Sequence, residues 1–147
     1  SQLQKYLLEI DEIVYIYSSC SISGCNGGAF ITKIDFNGNI LDTIDLGNEI
    51  RSNQGDAHMI LHSSGDIIVA GFNSGVFTLR RIDVNGNDIL TASIDFSSFL
   101  RISRPYVRLV ESSDTDIIVL LSEGIPQDNY KNGVFKIDIT NGTKLIP

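Results

Sequence analysis

The chain has no apolar stretch approaching the ~18 residues that a membrane-spanning helix needs. Its longest runs, such as "DIIVAG" and "DIIVLL", stop after a few positions. Basic residues are scarce: 11 Lys and Arg stand against 18 Asp and Glu, a formal net charge of −7. Nucleic acid needs a basic face to neutralise its phosphates, so that partner class is not expected, and neither is an anionic membrane surface. Cysteine is reduced to Cys20 and Cys25, spaced C-x4-C with no second pair and no neighbouring His. A structural zinc takes four ligands, so no metal is expected there. No Gly-x-Ser-x-Gly, no convincing Ser/His/Asp order and no phosphate-cradling glycine loop occurs, and no cofactor is expected. An initiator Met is also missing. The chain opens at Ser1 and stops at Pro147 after an apolar pair, which is expected of a processed protein or a piece of a longer one.

The 3.6-residue helical period is almost absent, and what replaces it is alternation. Segments of five to nine residues, rich in β-branched side chains, fill the 147 positions, and Gly, Asn, Ser and Asp separate them. The chain is all-β. The segments order into three units of four: "KYLLEI", "EIVYIY", "AFITKIDF", "NILDTIDL"; then "HMILHSS", "DIIVAGF", "VFTLRRIDV", "NDILTASIDF"; then "YVRLVESS", "DIIVLLS", "VFKIDI", "TKLI". Asp83 lies 48 residues after Asp35, and Asp138 lies 55 after Asp83. Four strands per period of that size point to propeller blades, here about 5–47, 57–96 and 105–146 of one domain spanning 1–147.

Local chemistry agrees. Asn37-Gly38 and Asn85-Gly86 read as two-residue type I′ hairpins joining the third strand of a unit to its fourth. Ser64-Gly65 and Ser113-Asp114 read as tight turns between first and second strands. The second strands of units two and three are nearly continuous apolar runs, as strands covered on both faces are. "DFNGN" and "DVNGN" fail as calcium loops, because Gly stands fourth and not sixth. Asp35, Asp83 and Asp138 are better read as acceptors of hydrogen bonds from the hairpin backbone.

The stretch "SSGDIIVAGFNSGVFTLRRIDVNGN" resembles the blade repeats of WD40-like, bacterial-surface β-propellers, and the resemblance covers nearly the whole chain. It implies three four-stranded antiparallel blades. The Trp-Asp dipeptide of true WD40 repeats is missing, as is the Ser-x-Asp-x-Gly-x-Thr-Trp box of sialidase-type propellers. A closed propeller takes at least about four blades. The expected partners are therefore further blades or copies of this chain, and the end blades would expose apolar faces that invite association.

A four-stranded meander sends its one-to-two and three-to-four turns to one edge and its other connections to the opposite edge. The second kind are long here: Ser18–Gly28, Asn48–Ala57, Ser97–Pro105 and Ser122–Gly133. Binding residues gather on such loops. Candidates are Arg51, Asn53, Asp56 and His58 in one, Arg101, Arg104 and Tyr106 in another, and Asp128 and Tyr130 in a third. Amide, carboxylate, Arg and aromatic groups suit a glycan or a polar protein ligand.

His58 and His62 share a strand face, but about 13 Å apart, too far for one metal, and they read as surface or channel-lining groups. Cys20 and Cys25 form either a small loop disulfide, which the intervening Gly and Ser favour, or two free thiols. Asn141-Gly142-Thr143 is a glycosylation sequon. Together these point to a non-catalytic scaffold outside the cell or on its surface. The alternatives are half of a six-bladed lactonase- or glycosidase-like hydrolase, with Glu12, Asp56 and His58 as suspects, or a lectin-like glycan binder.

Overall fold

A computed structural model describes residues 7–20, 28–50, 57–96, 106–122 and 132–145. The described residues form twelve strands and no helix. Sheet I holds β1 (Leu7–Ile10), β2 (Ile13–Cys20), β3 (Gly28–Asp35) and β4 (Ile40–Gly47). Sheet II holds β5 (His58–Leu61), β6 (Ile67–Asn73), β7 (Val76–Ile82) and β8 (Asp88–Asp95). Sheet III holds β9 (Tyr106–Glu111), β10 (Asp116–Ser122), β11 (Asn132–Asp138) and β12 (Lys144–Leu145). Each sheet is an antiparallel meander in chain order. The three units read from the sequence are therefore three four-stranded sheets.

The sheets stack with sheet II in the middle. One apolar cluster lies between sheets I and II and includes Tyr15, Tyr17, Ile31, Leu46, Met59, Ile67 and Val69. The other lies between sheets II and III and includes Ile68, Ala70, Phe72, Phe77, Leu79, Val119 and Phe135. Successive side chains of a strand point to opposite faces. Consecutive apolar residues of β6 thus feed the two clusters in turn, and all of Ile67–Phe72 is buried. Gly71 carries no side chain because Ile50, from the connection into sheet II, folds over it. A Cβ there would lie 3.1 Å from the Ile50 side chain.

β10 has a similar composition but a different fate. Ile117, Val119 and Leu121 are buried, whereas Leu120 between them is exposed. The expectation of double coverage holds for β6 and fails for β10, because the described residues supply no sheet beyond sheet III. First strands of neighbouring sheets touch one another: β5 contacts both β1 and β9.

The third-to-fourth hairpins differ from the type I′ expectation. In sheet I the Gly38 amide donates to the Asp35 carbonyl and the Asp35 amide to the Asn39 carbonyl, both at 3.0 Å. Gly38 has φ 87° while Asn37 stays out of the left-handed region, and the ladder shifts register between Lys33 and Ile34. This is a type I turn closed by a glycine bulge. The cause is the Asp35 carboxylate, which accepts the amides of Asn37 at 2.9 Å and Asn39 at 2.8 Å and so holds the turn in the right-handed form. Asp83 accepts the Asn85 and Asn87 amides in the same way, and Asp138 the Thr140 amide. Type I′ pairs do occur, at Asp11–Glu12 (φ 52° and 64°) and at Ser74–Gly75 (φ 52° and 84°). The second of these makes the β6–β7 connection short, so it is not among the long loops of that edge.

Candidate functional site

Most of the proposed loop-edge ligands, Arg51, Asn53, Asp56, Arg101, Arg104, Asp128 and Tyr130, lie outside the described residues, as does Cys25. Four other candidates are placed. His58 opens β5, and its Nδ1 accepts the Leu109 amide of β9 at 2.7 Å, so it ties sheet II to sheet III. Glu12 sits on the opposite, tight-turn edge, where its amide donates to Glu9 Oε1 at 2.8 Å. The fold therefore separates Glu12 from His58. Asn141 is exposed in the β11–β12 turn, with its Nδ2 bonded to Asp138 and its Oδ1 to the Thr143 amide. Tyr106 opens β9 and is 47 % exposed.

Tyr106 belongs to a groove of about 620 Å³ on the outer face of sheet III. Two cross-strand rows line it. Tyr106, Ser122 and Asn132 form the row next to the loop edge, and Arg108, Leu120 and Val134 form the next. Val134 is 54 % exposed, and the Arg108 guanidinium donates to the Val107 carbonyl at 2.7 Å. An open apolar floor with an aromatic, an Arg and amide and hydroxyl groups at one end suits a polar-apolar surface. Among its described lining residues no carboxylate or imidazole stands beside the Ser122 hydroxyl to act as a base. The alternation of β10 and β11 carries this face in the sequence, but Arg108, Asn132 and Val134 were not singled out from it.

A second concentration of polar groups lies in the seam between sheets II and III. His62 is 1 % exposed, not on the surface and not on an open channel. It stands where Asp35 and Asp83 stand in their hairpins: the Gly65 amide donates to its carbonyl, and the Ser64 amide donates to Nδ1 at 3.1 Å. With Nδ1 accepting, the ring proton is on Nε2, which faces the Ser113 carbonyl at 3.2 Å and Glu111 Oε1 at 3.4 Å. Ser64 Oγ lies 2.8 Å from Nδ1 and also reaches Asp66 Oδ2 at 3.0 Å. Asp66 in turn holds Arg81 at 2.6 to 2.7 Å. Hydrogen bonding from Ser63 keeps the Glu111 carboxyl below its ordinary range, and the neighbouring His62 adds to this.

Ser, His and carboxylate thus meet, but not as a catalytic triad. The imidazole is sealed in the seam, and Nδ1 is already engaged by a backbone amide. The cluster joins sheets. Among the described residues no three His, Cys, Asp or Glu side chains gather into a metal-ligand set. No helix among them is long and apolar enough to cross a membrane.

Each of the two seams carries one copy of a contact that sequence reasoning missed. Lys33 of sheet I donates from Nζ to the Val84 carbonyl of sheet II. Arg81, the matching residue of sheet II, donates from Nη1 to the Ile139 carbonyl of sheet III at 3.3 Å. The signal was present as a basic residue two places before each Asp. No protein-family model matches the chain, and no curated protein is similar enough in sequence to lend it a role.

Proposed function

We propose that the chain is a non-catalytic scaffold of β-propeller type, acting outside the cell or at its surface. It joins further blades or copies of itself through its end sheets, and it presents the long-loop edge to a protein or glycan ligand. The observation that carries this reading is the contrast between the sheets. Sheet II is buried on both faces by like neighbours, whereas sheet III leaves Tyr106, Leu120 and Val134 exposed. Contact between successive first strands supports blades set about a common axis. The exposed Asn141 leaves room for a glycan on the hairpin tip.

The hydrolase alternative gains no support from Glu12 and His58, which lie at opposite edges. A lectin-like role remains one form of the ligand-presenting reading. The test is a thermal-shift screen of the intact chain against oligosaccharides and polar peptides. The scaffold reading predicts a stabilising ligand whose effect falls at least tenfold in Tyr106→Ala. Turnover of a lactone or an aryl glycoside that is abolished by His58→Ala would contradict it.

A further inference from the structure

The two internal seams follow one rule, and the rule names what should meet the open ends. Lys33 pairs across its sheet with Tyr15, Arg81 with Ile68 and Lys136 with Ile118, so the three cations occupy one register position. The first two each reach the backbone carbonyl of the residue that follows the hairpin Asp in the next sheet, Val84 and Ile139. The hairpin glycines repeat as well. A Cβ on Gly86 would lie 3.0 Å from the Ile44 side chain of sheet I, and one on Gly142 would lie 3.0 Å from Ala92 Cβ of sheet II. Each hairpin tip therefore presses on the fourth strand of the preceding sheet.

Both halves of the contact are left over at the ends. Lys136 stands on the outer face of sheet III beside the open groove, and the described residues supply no further sheet to receive it. At the other end Gly38 has nothing within 4 Å of its Cβ position, and Phe36, which follows Asp35, is 65 % exposed. Its seam counterparts are better covered, Val84 at 38 % and Ile139 at 0 % exposed. Charge is complementary too: Arg108 and Lys136 lie on the sheet III face, and Glu9 lies on the face of sheet I that points away from the core.

We infer that a second copy of this chain docks head to tail, its sheet I covering the sheet III groove, with Lys136 donating to the Phe36 carbonyl of that copy. The inference rests on the assembly half of the scaffold reading and names its partner. The surfaces are different on the two copies, so the contact is heterologous and leaves each pair with two open ends, sheet I on one copy and sheet III on the other.

Two end-blocking variants test this. Val134→Arg spoils the sheet III face and Phe36→Asp spoils the sheet I end. Both positions are exposed, so circular dichroism and melting of each should match the unaltered chain. In light scattering the unaltered chain should gain mass as concentration rises, each variant alone should stay monomeric, and an equimolar mixture should form one-to-one dimers. Lys136→Met should raise the dissociation constant on the order of tenfold. Three results would overturn the inference: an unaltered chain that stays monomeric, a Phe36→Asp chain that still self-associates, or variants that do not complement each other on mixing. A Phe36→Asp chain that still self-associates would sink this inference alone, whereas an unaltered chain that stays monomeric would also sink the assembly half of the scaffold reading.

Discussion

The Lys33 ammonium on sheet I donates to the Val84 carbonyl on sheet II, across the boundary between two separately hydrogen-bonded sheets. One seam further on, Arg81 reaches the Ile139 carbonyl while its Nε and Nη2 hold Asp66. The sheets share no ladder, so these contacts, the His58 and His62 bonds to sheet III and the apolar clusters join them.

Removing the Arg81 latch should therefore loosen the stack. The Arg81 and Asp66 side chains are 17 % and 14 % exposed, so an unpaired Asp66 is poorly solvated. Arg81→Ala should cost roughly 1.5–3 kcal/mol in urea unfolding. Arg81→Lys should recover only part of it, because a lysine cannot engage the Asp66 carboxylate and the Ile139 carbonyl with separate nitrogens.

Acid should destabilise the fold through its turns. The Asp35 and Asp83 carboxyls are held below their ordinary range chiefly by the Asn39 and Asn87 side-chain amides, and that of Asp138 by the Thr140 hydroxyl. Each binds its proton less readily folded than unfolded. Their contribution is complete above the unfolded carboxyl pKa of about 4 and is lost as pH falls through the lower folded value. The urea midpoint should drop between pH 5 and pH 3 (about the range in which such groups titrate), and Asp83→Asn should flatten that slope. A midpoint unchanged over the range would refute the role of the turns.

The hairpin glycines separate backbone strain from packing. Gly38 and Gly86 have nearly equal φ, 87° and 88°, but only Gly86 meets a neighbour, Ile44 at 3.0 Å. Alanine at either should suffer left-handed strain of roughly 1–2 kcal/mol. Gly86→Ala should melt lower than Gly38→Ala by the added clash. Equal melting temperatures would mean that the hairpin tip does not bear on sheet I.

Truncations should show the same division between seam and outer face. Phe77 is fully buried, and its ring centroid lies 5.6 Å from those of Phe72 and Phe135. Phe77→Ala should cost about 3–5 kcal/mol. Leu120→Ala, on the open face of sheet III, should cost under about 1 kcal/mol. Comparable losses from the two changes would show that the outer face is covered even in dilute solution.

The strand pattern and the spacing of Asp35, Asp83 and Asp138 were enough to place the three sheets, because alternation and turn chemistry are local properties. The turn class was not legible. Asn-Gly alone favours type I′, and the preceding Asp outweighs it by taking two backbone amides. Nor was the fate of β10: "DIIVLL" and "DIIVAG" look alike, and only the presence of a neighbour decides whether the second face is buried. His62 was read as a surface or channel-lining group because no rule of spacing distinguishes a histidine that stands in for a turn aspartate. The latch residues Lys33 and Arg81 repeat two places before each Asp, but the carbonyls they reach on another sheet carry no side-chain signature of their own.

The claim that one seam contact repeats, within the chain and then between chains, is tested most directly at Lys136. A photo-crosslinking lysine analogue placed there, in a mixture of isotopically light and heavy chains, reports what that side chain meets. The predicted product is an intermolecular light-heavy crosslink to residues 35–38 of a second copy. Crosslinks confined within one chain, or intermolecular crosslinks that avoid that hairpin, would contradict it.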